Sequence, residues 1–318
     1  MWRNVSGCFT KTYDRFKQII TIFIPANNEP YSERPMKHDF PKGTSLALIA
    51  GMYVFALCIG VRVFAWAVDA MPEVWALLVA DVAMTVLIWG FGLVYENVSV
   101  YDPYWSVIPP AMFTAWALYK HCFMLPVLLL LVAVWWWGIR LTGNWVWTFK
   151  GIGHEDWRYT RYRETQSPFL FQVTNFFGLN MVPTLVVFAC MLPGFGLFEA
   201  AGPANAHTWA GFAICLASAS LQLVADSQIH RFRAAHPGAV CDVGLWKHGR
   251  HPNYFGEVMM WWGVWLMYAS LRGIDWLMLA PFAMTDLFLF ISIPMMERRQ
   301  LAHKPAYAAY RKRTRLFI

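Results

Sequence analysis

The sequence predicts an all-α membrane protein: a polytopic transmembrane bundle of about seven to eight spanning helices. Only 14% of its 318 residues are charged, whereas 58% are hydrophobic and 17% are aromatic. That composition excludes an ordinary soluble domain and a disordered chain. Long apolar runs recur without the two-residue alternation of a β-strand, so we expect helices and not a β-barrel.

Eight apolar runs are candidates for spans of the ~30 Å hydrocarbon core. The third run is short and contains Pro109 and Pro110. The runs are residues 44–68, 73–94, 105–119, 122–139, 169–192, 208–224, 254–271 and 275–293.

The distribution of basic residues predicts the orientation, because cytoplasmic loops carry the excess of Lys and Arg. Eight spans and an inside N-terminus place 22 of the 26 Lys and Arg residues in inside segments. Only Lys120 and Arg272 fall outside. We therefore expect both termini and a basic C-terminal tail to be cytoplasmic. Segment 95–104 is an exception, because it is an inside loop with no basic residue.

Residues 1–43 are expected to form a cytoplasmic or interfacial segment ahead of a membrane domain at 44–318. The apolar stretch 19–24 is too short for a signal peptide, and no small-residue cleavage site follows it. "YDRFKQIITIFIP" (13–25) favours an amphipathic helix lying on the membrane surface. The six cysteines show no metal-ligand spacing, so neither disulfides nor a metal site are expected.

Polar residues cluster at the ends of two of these runs. Arg140 and Asn144 are four residues apart, and therefore share one helix face. Asp226, His230 and Arg233 form a similar stripe at the end of the sixth run. The alternative interpretations are an arginine that reaches to the membrane interface and an ion pair within one helix, worth a few tenths of a kcal/mol.

The stretch "GRHPNYFGE" (249–257) carries the most concentrated polar signal. Pro252 suits the first turn of a helix, which places Asn253 and Glu257 on one face. Arg250 and His251 then stand at the helix N-terminus, where anions are favoured.

The C-terminal tail 296–318 adds seven basic residues and two tyrosines. Binding to anionic lipid, at roughly 1 kcal/mol for each basic residue, is one explanation. Together with the loops, however, the tail predicts a basic, aromatic rim around polar helix ends, suited to an anionic cofactor that contains a ring. NADPH meets that description, and S-adenosylmethionine meets it less well because its sulfonium is cationic. No GxGxxG motif opens a strand-to-helix unit, which excludes a soluble Rossmann domain.

These segments resemble the steroid 5α-reductase-like membrane family, in particular its bacterial members, from about residue 80 to the C-terminus. The shorter RHPxYxG pattern also occurs in proteins similar to isoprenylcysteine carboxyl methyltransferase, so that fragment alone does not separate the two classes. "NYFGE", together with Asp226 and Arg140, favours the reductase. The matching segments are "YDPYW" (101–105), "GIRLTGNW" (138–145), "EDWRY" (155–159), "AD" (225–226), "RFR" (231–233), "CDVGLWKHGRHPNYFGE" (241–257), "PMMERRQ" (294–300) and "AYAAYRKRT" (306–314).

The resemblance implies about seven spanning helices, with NADPH held by the C-terminal helices and cytoplasmic loops. Asp226, Arg231 and Arg233 match a segment that contacts the nucleotide half, and Asn253 and Glu257 match the pair near the nicotinamide carboxamide. The remaining candidate cofactor-binding residues are Arg140, Asn144, Arg158, Trp246, Arg250, His251, Tyr254, Tyr310 and Arg313.

The resemblance also implies an acid and a tyrosine that polarise the substrate carbonyl. Tyr101 and Asp102 are the candidates for these roles, and Glu257 completes the set of candidate catalytic residues. No residue is assigned to a metal.

The resulting functional hypothesis is an NADPH-dependent membrane oxidoreductase. It reduces an enone-type carbon–carbon double bond in a lipophilic substrate, for example a steroid-like or isoprenoid-like molecule. The alternatives are an S-adenosylmethionine-dependent membrane methyltransferase and a non-enzymatic lipid-binding protein. The expected partners are this substrate and membrane lipids, not nucleic acid, and the oligomeric state is open. The expected location is the bacterial inner membrane, with the cofactor on the cytoplasmic side.

Overall fold

A computed structural model describes residues 39–200 and 202–318, and these residues confirm the all-α prediction. They contain no β-strand, and one isolated bridge joins Gly249 to Arg315. The amphipathic helix expected at 13–25 lies outside the described residues. In chain order the helices are α1 (Lys42–Ala67), α2 (Glu73–Val94), α3 (Tyr104–Tyr119), α4 (Leu125–Thr148), α5 (Trp157–Thr165), α6 (Pro168–Leu197), α7 (Ala206–Ala235), α8 (Pro252–Arg272), α9 (Trp276–His303) and α10 (Tyr307–Arg313).

Six of the described helices, α1, α2, α4, α6, α7 and α9, are long and apolar enough to cross a membrane. The chain is therefore a multi-pass membrane protein, but the expected count of seven to eight spans is not confirmed. Helix α3 has 16 residues, or ~24 Å, which is shorter than the hydrocarbon core. Helix α8 has 21 residues but is less apolar than the six, since it carries polar groups such as Asn253 and Glu257.

Segment 95–103 folds back into the protein instead of forming a surface loop. The Tyr104 hydroxyl, at the start of α3, donates to Asp81 Oδ1 at 2.7 Å. Asp81 lies about 13 residues, or ~20 Å, before the end of α2. Residues 97–101 are all buried. The side of the membrane on which this segment lies stays a prediction, but its burial explains the missing basic residues, since a buried charge without a partner is costly.

The loop between α4 and α5 closes over this re-entrant segment. Asn97 Nδ2 donates to the carbonyl oxygens of Ile152 at 2.6 Å and His154 at 3.0 Å. The backbone N–H of Asp156 donates to Ser99 Oγ at 2.8 Å. These bonds satisfy polar groups that would otherwise be buried without partners, and they hold the two segments as one unit.

Helices α7 and α8 pack with their backbones in close approach. A Cβ added at Gly263 would lie 2.6 Å from Cys215 Sγ and 2.9 Å from the Gly211 carbonyl oxygen. Small residues allow such contact between membrane helices. The close pairing brings the polar residues of α7 alongside those of α8, and so positions the candidate site.

We expect Gly263→Ala to lower the free energy of unfolding by about 1–3 kcal/mol, because backbone and thiol atoms cannot both move away from the added methyl group. Gly143→Ala is the matched control: Gly143 is an exposed helical glycine with nothing within 4 Å of an added Cβ. Thermal unfolding of both variants in detergent should show a loss of melting temperature for Gly263→Ala only. Equal stability of the two variants would contradict the close packing of α7 on α8.

Candidate functional site

A buried arginine joins three helices at the centre of the site. Arg140 on α4 has a side chain that is only 1% exposed, and its Nη1 donates to Asp226 Oδ2 at 3.0 Å. Its Nη2 donates to Gln222 Oε1 and lies 3.9 Å from Glu257 Oε2. The charge is thus compensated from both α7 and α8, as a buried guanidinium requires.

Glu257 is bound on both of its carboxylate oxygens. Oε1 accepts from Trp261 Nε1 at 3.0 Å, and Oε2 accepts from Trp137 Nε1 at 2.8 Å. One helical turn earlier, Asn253 Nδ2 donates to Asp226 Oδ1 at 3.2 Å. Asn253 and Glu257 therefore join the same network, as their spacing predicts. The contact of Glu257 with Arg140 also gives this carboxylate a structural role within the protein.

Two donors in this network have no acceptor among the described residues. They are Arg140 Nε and Gln222 Nε2, and both are fully buried. Leaving a buried donor unsatisfied costs about 1–3 kcal/mol. These two donors are therefore candidate contacts for the acceptor atom of a ligand. Sequence reasoning missed Gln222, although its position four residues before Asp226 puts it on the same face of α7.

The network continues outwards along α4 and α7. Asn144 Oδ1 lies 2.8 Å from His230 Nε2, one turn beyond the Arg140–Asp226 pair. The predicted common face of Arg140 and Asn144 is thus directed at α7. Arg231 and Arg233 follow on α7, and both are exposed.

A second cluster holds the tail against the loop before α8. The Glu297 carboxylate accepts from Arg250 Nε at 2.7 Å, from His251 Nε2 at 3.3 Å and from Arg311 Nε at 3.0 Å. The His251 ring stacks on Tyr254, with centroids 5.3 Å apart. Arg250 and His251 therefore bind a carboxylate of the protein itself. Sequence reasoning missed Glu297, which lies within the matching segment "PMMERRQ".

The tail is also fastened to the loop at its aromatic residues. The Tyr310 hydroxyl donates to the Trp246 carbonyl oxygen at 2.5 Å, and Trp246 Nε1 donates to the Ala225 carbonyl oxygen at 2.9 Å. Arg313 binds Asp242 in an exposed ion pair, apart from the buried network. Trp246 and Tyr310 thus hold the loop, the tail and α7 together.

A third cluster surrounds Asp102 at the end of the re-entrant segment. Asp102 Oδ1 accepts from the Tyr159 hydroxyl and lies 3.8 Å from Arg158 Nη2. Arg158 Nε also donates to Asp156 Oδ1 at 2.7 Å. Burial raises the pKa of Asp102 to about 7, against the opposing charge of Arg158 and with a further rise from Asp156. Burial also acts to raise the pKa of Asp156, but Arg158 outweighs it and holds that pKa below its usual value.

Tyr101 points away from this cluster and into the bundle. Its hydroxyl lies 2.7 Å from Thr184 Oγ1, and its ring stacks on Tyr104 with centroids 5.1 Å apart. The two adjacent candidates, Tyr101 and Asp102, therefore do not act as one pair.

Asp81 and Tyr104 form an acid–phenol pair of the kind expected of Tyr101 and Asp102, and they lie at a small cavity. Sequence reasoning missed both residues. The signal for Asp81 was available, because a carboxylate in the middle of a span is a candidate functional group by default. Asp81 and Tyr104 line a small cavity together with Trp105, Ile108, Pro109, Thr184, Val187 and Met191.

An indole contact links this cavity to the arginine network. Trp105 lines the cavity and packs against Trp137, with ring centroids 6.4 Å apart. Trp137 in turn donates to Glu257. The acid–phenol pair and the buried network are therefore neighbours, connected through the Trp105–Trp137 indole pair.

The raised pKa of Asp102 predicts a pH-dependent stability. The folded state retains a proton that the unfolded state, with a pKa of 3.8, releases, so the free energy of unfolding should fall as the pH rises from about 4 to about 7. Asp102→Asn removes this titration and should flatten the dependence. Melting temperatures of both proteins across that range test it, with Asp69→Asn as the control at an exposed acid. Parallel curves for the wild type and Asp102→Asn would contradict the assignment.

Comparison with known proteins identifies the family of the chain. Residues 88–314 match a family described as proteins of unknown function, DUF1295. The chain is also similar to an uncharacterized protein of Schizosaccharomyces pombe, with 22% identity over 277 residues that cover 78% of this chain and 79% of that protein. No solved structure matches the chain. Because the family match spans more than two thirds of the sequence and includes the residues of all three clusters, the chain belongs to the DUF1295 family.

Proposed function

We propose that this protein is an NADPH-dependent reductase of a carbon–carbon double bond conjugated to a carbonyl group in a lipophilic substrate. The observation that carries the proposal is the pair of buried donors without acceptors, Arg140 Nε and Gln222 Nε2. The association of the DUF1295 family with steroid 5α-reductase-like proteins supports it.

The residues around these donors suit a nicotinamide carboxamide. An amide presents an acceptor oxygen and two N–H donors. Arg140 and Gln222 provide donors for the oxygen, and the carboxylates of Asp226 and Glu257 provide acceptors for the N–H groups. The exposed guanidinium groups of Arg231 and Arg233 and the ammonium group of Lys247 suit the phosphates, which arginine binds in bidentate fashion. When bound there, NADPH supplies a hydride for reduction of the substrate.

In this proposal the Asp81–Tyr104 pair takes the acid role that sequence reasoning gave to Tyr101 and Asp102. The Tyr104 hydroxyl hydrogen-bonds the carbonyl oxygen of a substrate whose carbonyl end enters the cavity, and it stabilises the negative charge that develops there. It then transfers its proton to the substrate, and Asp81 restores that proton to Tyr104. Each turnover therefore adds one hydride and one proton across the double bond.

The residues around the cavity exclude water from the proposed reaction site. The re-entrant segment 95–103 and the loop at 149–156 close one end of the bundle, and apolar residues such as Ile108 and Val187 line the cavity. Excluding water strengthens the electrostatic interactions of Asp81 and Tyr104 with a developing charge. Methyl transfer to a carboxylate has no need of such a proton donor, which favours reduction over the methyltransferase alternative.

Ligand protection of the purified protein separates the three candidate functions. We expect NADPH to raise the melting temperature by several degrees, since a ligand at 100 times its Kd adds roughly 2.7 kcal/mol. NADH should protect less, because it lacks the phosphate that the exposed arginines would bind. Protection by S-adenosylmethionine alone would identify a methyltransferase, and protection by neither cofactor would favour a lipid-binding protein.

Glu257→Gln tests the nicotinamide assignment. The new amide nitrogen faces an indole N–H, so we expect stability to fall by about 1–3 kcal/mol. The affinity of the folded protein for NADPH should also fall, about tenfold or more, because a charged acceptor is lost. Melting curves and NADPH titrations measure the two effects separately.

Glu73→Gln is the matched control for this experiment. Glu73 is a half-exposed acid at the start of α2 that pairs with Lys120, and such surface pairs are worth about 1 kcal/mol or less. Neither stability nor NADPH affinity should change markedly in this variant. If Glu257→Gln lowers stability but leaves NADPH affinity unchanged, Glu257 has a structural role only.

A further inference from the structure

We propose that protons reach the Asp81–Tyr104 pair through a chain of buried hydroxyl groups, Thr85, Thr184 and Tyr101, which begins beside Asp102. The proposal rests on the proposed function, because it identifies the route by which that pair regains the proton it transfers to the substrate.

The hydroxyl groups lie within hydrogen-bonding distance of one another. Thr184 Oγ1, on α6, is 2.9 Å from Thr85 Oγ1 on α2 and 2.7 Å from the Tyr101 hydroxyl. Thr85 stands four residues after Asp81 on α2 and so shares its helix face, and the Tyr104 hydroxyl is 2.7 Å from Asp81 Oδ1. Side chains from two spanning helices and the re-entrant segment thus form one connected series.

A hydroxyl group both donates and accepts, so a series of them can pass a proton by reversing the direction of its hydrogen bonds. In the pairs that Thr184 makes with Thr85 and with Tyr101, either oxygen can be the donor. No fixed charge interrupts the series between Tyr101 and Tyr104. The protein therefore holds the components of a proton path inside an otherwise apolar region.

Asp102 provides the entrance to this path. Its side chain is 17% exposed, and it interacts electrostatically with the neighbouring Tyr101 phenol. Burial raises the pKa of Asp102 to about 7, so the group can both bind and release a proton near neutral pH. Tyr101 precedes Asp102 directly in the chain, and its hydroxyl, which points into the bundle, is the first group of the buried series.

A purely structural role explains this arrangement less well. Thr85 and Thr184 are 0% and 2% exposed, and each pairing fixes buried hydroxyls that apolar side chains of similar shape would replace without a desolvation cost. The series also reaches an acid, because the Tyr104 hydroxyl binds Asp81 Oδ1 at 2.7 Å as well as the Asp81 carbonyl oxygen at 3.0 Å. Polar residues inside a membrane protein often line such proton pathways.

This route replaces the proton that the reaction transfers to the substrate. Tyr104 gives one proton to the substrate and regains it from Asp81. Before the next turnover begins, Asp81 regains its proton from Tyr101 by way of Thr184, Thr85 and Tyr104. Asp102 exchanges protons with water at the entrance. One proton from solution is therefore consumed for each hydride transferred.

Hydrogen–deuterium exchange of the Asp81 carboxyl group tests the path without cofactor or substrate. The full chain in lipid nanodiscs is transferred to D2O, and the carbonyl stretch of protonated Asp81 is followed by infrared spectroscopy. Loss of the band in Asp81→Asn identifies it. Thr184→Val removes the central hydroxyl while keeping the side-chain shape, and we expect it to slow exchange about tenfold or more, as a barrier higher by ~1.4 kcal/mol gives.

Three further variants make the result specific. Thr142→Val, which removes another hydroxyl between helices at Ser106, should exchange at the wild-type rate. Thr184→Ser keeps the hydroxyl and should also exchange at that rate. If Thr184→Val does not fold, Tyr101→Phe interrupts the same series while keeping the ring stacked on Tyr104.

Wild-type exchange in Thr184→Val would overturn the proposal, as would the absence of an Asp81 band. Asp102→Asn should also slow exchange, and an unchanged rate in that variant would overturn the entrance at Asp102. The proposed function is tested separately by NADPH protection, so failure of that experiment leaves the exchange result interpretable.

Discussion

The buried guanidinium group of Arg140 is the constraint on which the rest of the structure depends. It enters the bundle from α4 and is compensated by Asp226 and Gln222 on α7 and by Glu257 on α8. An uncompensated charge at this depth would cost several kcal/mol, so the three helices must keep their polar faces together. The glycine contacts between α7 and α8 bring the two backbones close enough for one arginine to reach both helices.

The re-entrant segment has a comparable role on the other side of the cavity. It allows α3 to begin beside the middle of α2, where Tyr104 meets Asp81, instead of at the surface. Its side chains bind backbone groups of the loop that closes over it. As a result the protein holds an acid–phenol pair inside the bundle. The indoles of Trp105 and Trp137 then connect this pair to the charged network.

The two halves of the candidate site differ in their electrostatics, and the difference suits them to different tasks. Around Arg140 the charges are numerous and fixed by several partners each, which favours tight binding of a polar group with little rearrangement. Around Asp81 the groups are neutral hydroxyls that can exchange donor and acceptor roles. The tail cluster at Glu297 is separate from both, and it holds the loop before α8 in place through Arg250 and His251.

The sequence by itself determined the all-α membrane class, the approximate helices and the common faces of nearby residues, such as Arg140 with Asn144 and Asn253 with Glu257. These features follow from hydropathy and from the 3.6-residue helical period, which are local properties. Only the tertiary structure decided that Glu257 contacts Arg140, that residues 95–103 are buried and that Asp81 pairs with Tyr104. Those contacts join distant segments, and a local pattern specifies the face on which a residue lies but not the helix that packs against it.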